Sequence, residues 1–251
     1  MAGQDGVIAL RDVPAALGLL TRLPVSVDGD WATARGARSA WAYPLAGLAV
    51  GACLVLVVTA ASWLGLPAGL SAALALGAGT VMTGALHEDG LADSVDGLWG
   101  GWTQARRLEI MKDSRIGTYG VLALIFVVLA SWLAVAELVQ AAPLWALVAL
   151  PVASRAVMPA LMRLPPARPG GVSATVGQPP VAAVWMAAAL GAGALLPLGW
   201  DGLAAGIVIL AVALGIRSLA LRKIGGQTGD ILGAAQQLTQ LAGWLTLVAL
   251  A

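Results

Sequence analysis

The sequence predicts an all-α, polytopic integral membrane protein: a helix bundle of about seven transmembrane helices with a short additional helix near the N-terminus. Of its 251 residues, 59% are hydrophobic and only 11% are charged, whereas a soluble domain usually carries about 25% charged residues. The mean hydropathy is +0.88. Because a water-soluble fold has no way to bury this much apolar surface, we expect a single membrane-embedded domain over residues 1–251.

Seven stretches have the length and apolar character of a membrane span, which needs about 20 residues. They are residues 41–63, 68–86, 119–138, 143–162, 181–199, 202–221 and 231–251. The segment Val13–Leu20 is apolar but too short to cross, which favours an interfacial or re-entrant helix. Gly47 and Gly51, four residues apart in the first stretch, fit a close helix crossing.

The distribution of Lys and Arg predicts the orientation. Twelve of these residues lie in the loops 1–40, 87–118, 163–180 and 222–230, and the other two, Arg155 and Arg217, lie inside predicted spans. The loops on the opposite side, 64–67, 139–142 and 200–201, carry none. By the positive-inside rule the basic side is cytoplasmic. We therefore expect a plasma (inner) membrane protein, in contact with membrane lipid, with its N-terminus in and its C-terminus out.

Charge and cysteine content exclude several classes. The formal net charge is only +1, so there is no basic field for nucleic acid. Cys53 is the single cysteine, which leaves neither a disulfide framework nor a thiolate metal cluster. The first residues do not have the pattern of a removable signal peptide. A homo-oligomer is left open.

The most informative stretch is the acidic segment 87–97. Asp89, Asp93 and Asp96 are spaced i, i+4 and i+7, which places three carboxylates on one face of a helix. Like charges at this spacing cost about 0.2–0.5 kcal/mol per pair, and a divalent cation removes the repulsion. Hard oxygen ligands favour Mg²⁺, so the sequence predicts a magnesium site; a solvated acidic loop balancing nearby arginines is the alternative.

Basic residues follow the acidic segment. Lys112 and Arg115 flank Asp113, and basic groups beside a metal suit a phosphate or pyrophosphate ligand. Ordinary juxtamembrane charge is the alternative. Arg155 lies inside a predicted span, where an ionisable residue indicates a functional site; a structural ion pair is the other interpretation.

The last basic-side loop, 225–229, is rich in glycine and opens the seventh predicted span at Asp230. Backbone N–H groups at such a helix N-terminus cradle anions in many proteins. Gly226, Thr228 and Gly229 are therefore candidate contacts for a substrate phosphate. Asp230 is either a further ligand or an acid favoured by the helix dipole.

Long motifs carry a resemblance to a known family. They are Leu86–Gly101 and Arg106–Gly117, with Leu20–Pro24, Arg38–Ser39, Tyr43–Gly47, Ser154–Arg155 and Gly225–Ala234. In this order they resemble the cobalamin (5′-phosphate) synthases, also called adenosylcobinamide-GDP ribazoletransferases. One position departs from that pattern, since Gln240 stands where an acid is common.

The resemblance implies the last assembly step of vitamin B12, a transferase reaction on two small-molecule substrates. Adenosylcobinamide-GDP is joined to α-ribazole or its 5′-phosphate, and GMP is released when the ribazole 3′-hydroxyl attacks the pyrophosphate. For such a reaction we expect the candidate residues to have the following roles. The expected Mg²⁺ ligands are Asp89, Asp93, Asp96 and Asp230, and Glu88 or Asp113 is expected to complete the shell or hold a second metal. The base is expected to be His87 or a carboxylate. The residues expected to contact the substrates or stabilise charge are Lys112, Arg115, Arg155, Arg22, Gly226, Thr228 and Gly229.

Two other functions compete with this one. A CDP-alcohol phosphotransferase shares an Asp-rich motif, but Trp99 and the two following glycines stand where its signature continues differently. An ion-coupled transporter also uses intramembrane charge. Here the acids cluster at one face and no internal repeat appears.

Overall fold

The computed structural model describes residue 6, residues 8–170 and residues 172–251, and in this part of the chain every named element is helical. The α-helices are α1 (Asp12–Leu20), α2 (Gly29–Arg35), α3 (Tyr43–Trp63), α4 (Ala68–Thr83), α5 (Leu86–Gly100), α6 (Gln104–Ile110), α7 (Thr118–Ala141), α8 (Ala146–Ala156), α9 (Met158–Leu161), α10 (Val172–Val176), α11 (Val181–Leu195), α12 (Gly199–Ile224) and α13 (Gly229–Leu250). Two 3₁₀ helices, Gly36–Ala42 and Leu196–Leu198, complete the set. The all-α prediction is confirmed.

Apolar helices support a membrane helix bundle. Three described stretches are long and apolar enough to cross a membrane: Gly29–Trp63, Thr118–Ala141 and Val181–Ile224. A fourth is added if the bent pair α4 and α5 forms one span. Seven crossings therefore stay a prediction, although each of the seven predicted stretches contains a helix.

Two of the seven predicted stretches contain helices that are shorter than predicted, and a proline lies near each interruption. In 143–162, Pro151 lies inside the 11-residue α8, and Pro159 lies in the first turn of the four-residue α9. In 181–199, α11 has 15 residues and gives way to a 3₁₀ turn that contains Pro197. Proline removes a backbone donor and clashes with the preceding turn. At 1.5 Å per residue, 15 helical residues reach only about 22 Å, short of a bilayer core of about 30 Å.

The predicted close crossing at Gly47 and Gly51 is confirmed. Both glycines of α3 press against the backbone of α8: a Cβ on Gly47 would overlap the Pro151 carbonyl, and one on Gly51 would lie 2.6 Å from the Val148 Cα. Small residues allow two backbones to approach in this way. This contact fixes α8, and with it Arg155, against the first long helix.

A buried ion pair anchors the N-terminal helix. Asp12 of α1 accepts hydrogen bonds from Nε and Nη2 of Arg35 at 2.8 and 2.9 Å, and from Nε1 of Trp41 at 2.6 Å. The side chains of Asp12 and Arg35 are fully buried. A charge pair without water is maintained only when both ions are well hydrogen-bonded. The pair holds α1, the helix predicted at Val13–Leu20, onto the α2 segment.

Helix α13 occupies the centre of the bundle and packs against α5, α7, α8 and α12. Its Trp244 is 1% exposed and belongs to the main apolar core, together with Leu54, Leu138 and Leu150. Because α13 contacts the acidic helix α5 on one side and α8 on another, it sets the positions of the candidate site residues.

Candidate active site

A sharp bend separates the acidic helix from the preceding apolar one. Helix α4 ends at Thr83, three residues before the predicted end of its span, and α5 turns away by 86°. Gly84 and Ala85 both have positive φ, 64° and 57°. Ala85 is the one non-glycine residue with positive φ in the described chain, and such backbone strain clusters at functional sites. The acids therefore lie on a separate helix that is bent away from the preceding apolar one.

Two glycines let α5 and α13 meet. A Cβ on Gly90 would lie 3.0 Å from the Asp230 carbonyl oxygen and 3.2 Å from the Gly233 Cα. A Cβ on Gly233 would lie 3.3 Å from the Gly90 Cα. The crossing brings the acids beside Gly90 on α5, Asp89 and Asp93, to Asp230 at the start of α13.

The charge state of Asp93 reflects this crowding. Residues 87–118 follow the predicted span 68–86, so Asp93 lies beyond it. Its pKa is raised to about 7, first by partial burial and then by the neighbouring Asp89 and Asp230. Burial also raises the pKa of Asp230. Carboxylates in such a group bind a cation or a proton more readily than isolated ones.

Arg168 is a site residue that the sequence analysis missed. Its Nη2 donates to Asp230 Oδ2 at 3.0 Å, and both side chains are about one quarter exposed, 26% and 23%. An isolated parallel bridge positions it: Gln227 N donates to the Pro165 carbonyl at 2.8 Å, and Ala167 N donates to the Gln227 carbonyl at 2.9 Å. The only signal in the sequence is its place in a basic-side loop.

Arg22 lies at the α4–α5 bend, beside the acids. Its backbone N–H donates to the Met82 carbonyl at 2.6 Å, and its guanidinium crosses Gly84 so closely that a Cβ there would overlap it. Arg22 and Asp89 line a cavity of about 400 Å³, the Arg22 cavity. The structure thus brings the predicted substrate-binding Arg22 to the predicted metal ligand Asp89.

A second cavity lies beneath the crossing of α5 and α13. This Asp230 cavity, of about 290 Å³, is lined by His87, Asp89, Gly229 and Asp230 among other residues. Asp89 therefore borders two adjacent cavities and is exposed, so a ligand can approach it from both.

Asp96, the third acid of the predicted ligand face, has protein partners of its own. It is 6% exposed, and its carboxylate accepts hydrogen bonds from the backbone N–H groups of Gly117 at 2.7 Å and Gly120 at 2.9 Å. It caps the N-terminus of α7, where a negative charge is favourable. A Cβ on either glycine would overlap the carboxylate, which explains the two glycines that end the basic segment.

The basic segment borders Asp96 rather than Asp230. Asp113 and Arg115 line a cavity of about 310 Å³ together with Asp96. Arg115 Nη2 donates to Asp113 Oδ2 at 2.6 Å, and these hydrogen bonds lower the pKa of Asp113 to about 2. Lys112 is exposed. In the part of the chain that the structure describes, Lys112 does not line this cavity, the Arg22 cavity or the Asp230 cavity.

The glycine-rich loop has structural explanations at two of its three predicted contact positions. A Cβ on Gly226 would overlap the Pro165 carbonyl. Thr228 caps α13 by accepting from the Ile231 N–H at 3.3 Å, and it donates to Asp230 Oδ2 at 3.1 Å. Gly229 is exposed and lines the Asp230 cavity, where it remains a candidate contact.

His87, Glu88 and Arg155 face the interior of the bundle. All three line a further cavity of about 570 Å³, the inner cavity. Thr80 Oγ1 donates to Glu88 Oε1 at 3.3 Å. Arg155, the ionisable residue of the fourth predicted span, therefore shares a cavity with the acidic residue Glu88. His87 lines the Asp230 cavity as well.

The metal site stays a prediction. Within residue 6, residues 8–170 and residues 172–251, no group of three or more His, Cys, Asp or Glu side chains is close enough together to hold a metal ion on its own. The structure does bring Asp89 and Asp93 to Asp230, and it directs Asp96 to α7.

A family model for cobalamin-5-phosphate synthase matches residues 12–248. The chain belongs to the cobalamin-5-phosphate synthase family. Curated relatives named adenosylcobinamide-GDP ribazoletransferase include those of Bradyrhizobium diazoefficiens, 48% identical over 92% of this chain and 91% of the relative, and Mesorhizobium japonicum, 45% identical over 93% and 91%. That of Azorhizobium caulinodans is 42% identical over 93% of both chains. No solved structure matches the chain.

Membership in the cobalamin-5-phosphate synthase family confirms the resemblance in the sequence motifs. The matched region, residues 12–248, contains every predicted site residue from Arg22 to Asp230. The cavities around α5 and the start of α13 are therefore the candidate active site of a family member.

Proposed function

We propose that this protein joins adenosylcobinamide-GDP to α-ribazole, or to its 5′-phosphate, and releases GMP in the final assembly step of cobalamin. The observation that carries the proposal is the family match across nearly the whole chain. The acids Asp89, Asp93 and Asp230, with Arg22 and Arg168 beside them, support it chemically. Such a site suits a diphosphate that is bound and cleaved.

The carboxylate group fits a magnesium ion in its chemistry. Asp89, Asp93 and Asp230 offer hard oxygen donors, and the raised pKa of Asp93 indicates a charge that lacks compensation. Mg²⁺ commonly takes one or two protein carboxylates and fills its shell with water and phosphate oxygens, so a complete protein cage is not required. When bound, the ion would neutralise charge on the pyrophosphate. Asp96 is a less suitable ligand because it caps α7.

Side chains of the site would bind the diphosphate and accept the proton of the attacking hydroxyl. Arg22 and Arg168 hold the diphosphate by charge-assisted hydrogen bonds. The nucleoside hydroxyl attacks the cobinamide-side phosphorus: the new O–P bond forms, the bond to the GMP oxygen breaks, and GMP leaves with the electron pair. The hydroxyl proton passes to His87 or to a neighbouring carboxylate such as Asp89, both of which line the Asp230 cavity.

The same proposal includes the membrane orientation. The candidate site lies on the side with the Lys and Arg loops, which is the cytoplasmic side by the positive-inside rule. Nucleotide substrates made in the cytoplasm would then reach it directly. A reporter fused after Ala251 should be read on the outside of the inner membrane, and a cytoplasmic signal would contradict the topology.

The direct experiment measures GMP release by purified, detergent-solubilised protein. With adenosylcobinamide-GDP, α-ribazole and Mg²⁺ present, we expect one GMP for each cobalamin product, and no release when either substrate is omitted. Excess chelator should stop turnover, and Mg²⁺ should restore it. Cobalamin formation that persists unchanged in chelator would refute the metal role, and absence of any transfer would refute the function.

A further inference from the structure

Most of the described residues with a buried polar atom that lacks a hydrogen-bond partner line one internal cavity. The inner cavity is bounded by α3, α4, α5, α7, α8 and α13. Among the described residues, eight have a buried side-chain nitrogen or oxygen without a hydrogen-bond partner, and five of these residues line this cavity. They are His87, Glu88, Arg155, Gln236 and Trp244. Proteins pair nearly all buried polar groups, so this concentration indicates a ligand.

Two of these side chains, Arg155 and Gln236, are held in place by hydrogen bonds of their other atoms. His87, Arg155 and Gln236 are 1%, 2% and 1% exposed. Arg155 Nη1 donates to the Pro151 carbonyl at 3.1 Å, which leaves Nε unpartnered. Gln236 Nε2 donates to Ser154 Oγ at 3.0 Å, which leaves Oε1 unpartnered. The unpartnered Arg155 Nε and Gln236 Oε1 are therefore a donor and an acceptor with fixed positions.

The charge and shape of the cavity define the class of ligand. Arg155 and Glu88 face the same space with opposite charge, so an uncharged ligand is accommodated. Most other wall residues are apolar, among them Leu54, Val127 and Trp132. A volume of about 570 Å³ lies in the range of small-molecule sites and is far too small for a corrinoid nucleotide. A ligand with a flat apolar ring and attached hydroxyl groups fits both the apolar walls and the buried polar side chains of this cavity.

We propose that the inner cavity binds the nucleoside substrate, with its aromatic base against the apolar walls and its ribose hydroxyls toward His87 and Arg155. This inference rests on the proposed function and adds the location of the second substrate. His87 lines both the inner cavity and the Asp230 cavity, so it forms part of the partition between them. A hydroxyl held at His87 lies next to the compartment where Asp89 and Asp230 receive the diphosphate.

The opening of the cavity indicates how the base enters. The exposed wall residues include Gly77 on α4 and Val128 and Leu129 on α7, which are 50% and 47% exposed. The gap between these two apolar helices faces the surface that a bilayer would cover. An apolar base is expected to reach the cavity from that side, whereas the charged diphosphate reaches its cavities from the basic side.

A filled opening tests the proposal. Gly77 lines the cavity, and a Cβ there would meet nothing within 4 Å, so Gly77→Leu adds bulk at the cavity wall without a backbone clash. Gly193→Leu is the matched control, because Gly193 also lies exposed on an apolar helix with open space at its Cβ. The readouts are the Kd of α-ribazole, from quenching of tryptophan fluorescence, and the separate KM values for α-ribazole and adenosylcobinamide-GDP.

We expect Gly77→Leu to raise the Kd and KM for α-ribazole by about tenfold or more, with the KM for adenosylcobinamide-GDP within about twofold of wild type. Gly193→Leu should match wild type. An unchanged Kd, or an equal rise in both KM values, overturns the proposal. If Gly77→Leu does not fold, Ala73→Phe fills the same opening from one turn earlier on α4. Wild-type protein that binds α-ribazole but releases no GMP refutes the proposed function alone.

Discussion

Gly90 of α5 and Gly233 of α13 lie in backbone contact, and a Cβ on Gly90 would come within 3.2 Å of the Gly233 Cα. This contact joins the two halves of the candidate site, because Asp89 and Asp93 flank Gly90 while Asp230 lies three residues before Gly233. The separation of α5 from α13 therefore sets the separation of the acids. A larger side chain at this crossing is therefore expected to change the distance between the acids of α5 and Asp230.

Gly90→Ala is expected to reduce GMP release by about 10- to 100-fold, because displacement of catalytic groups by about 1 Å has costs of this order. The loss should occur even though alanine favours helix by about 1 kcal/mol over glycine. Gly215→Ala is the control, since a Cβ on Gly215 meets nothing within 4 Å. Wild-type turnover in Gly90→Ala would show that the close crossing is not needed for activity.

Asp93→Asn is expected to lower turnover by about 100-fold or more at saturating substrate, because Asp93 is the most crowded carboxylate of the group. The variant should still insert in the membrane and unfold at or above the wild-type Tm, since its charge is unfavourable without a cation. Asp201→Asn, at the start of α12 and exposed, should keep full activity. Near-normal turnover in Asp93→Asn would argue against a metal role.

Asp96→Asn should behave differently from Asp93→Asn. Its carboxylate accepts from two backbone N–H groups at the start of α7, and a lost helix cap costs about 1–2 kcal/mol. We therefore expect a lower Tm in metal-free protein, measured by intrinsic fluorescence during heating. An unchanged Tm, combined with weaker magnesium binding, would instead identify Asp96 as a ligand.

Magnesium affinity should rise with pH. In the metal-free protein the pKa of Asp93 is raised from 3.8 to about 7, so the folded state keeps a proton that the unfolded state has already lost. The contribution of Asp93 to stability is therefore full below about pH 4 and is lost as pH rises toward about 7. A cation must displace the same proton. Titration calorimetry at pH 6 and pH 8 should show tighter binding at pH 8, and Asp93→Asn should reduce the difference.

Arg168→Gln is expected to raise the KM for adenosylcobinamide-GDP by about tenfold, because it removes a cation that lies 3.0 Å from Asp230 and borders the acids. Arg168→Lys should restore part of the affinity. Arg222→Gln, an exposed charge at the end of α12, is the matched control. If Arg168→Gln and Arg222→Gln give equal KM values, Arg168 does not contact the substrate.

Local patterns in the sequence identified much of the site. The acidic run was predicted to be helical and forms α5, and the glycine pair Gly47 and Gly51 was predicted to lie at a crossing and does so. The i, i+4 and i+7 spacing assigned Asp96 to the same ligand face as Asp89 and Asp93, because this spacing describes a single helix and contains no information about neighbouring helices. The adjacent N-terminus of α7 supplies two donors to Asp96, and a donor from another helix cannot be read from i, i+4 periodicity.

The sequence by itself determined the all-helical, apolar character of this protein, its family and the acids of α5, because hydropathy and short motifs are local properties of the chain. The tertiary structure alone decided that Arg168 pairs with Asp230, 62 residues away, and that His87 separates two cavities. It also decided where proline and glycine end the helices early. Contacts between distant residues depend on how helices cross, and crossing geometry arises from packing of side chains that the linear pattern does not bring together.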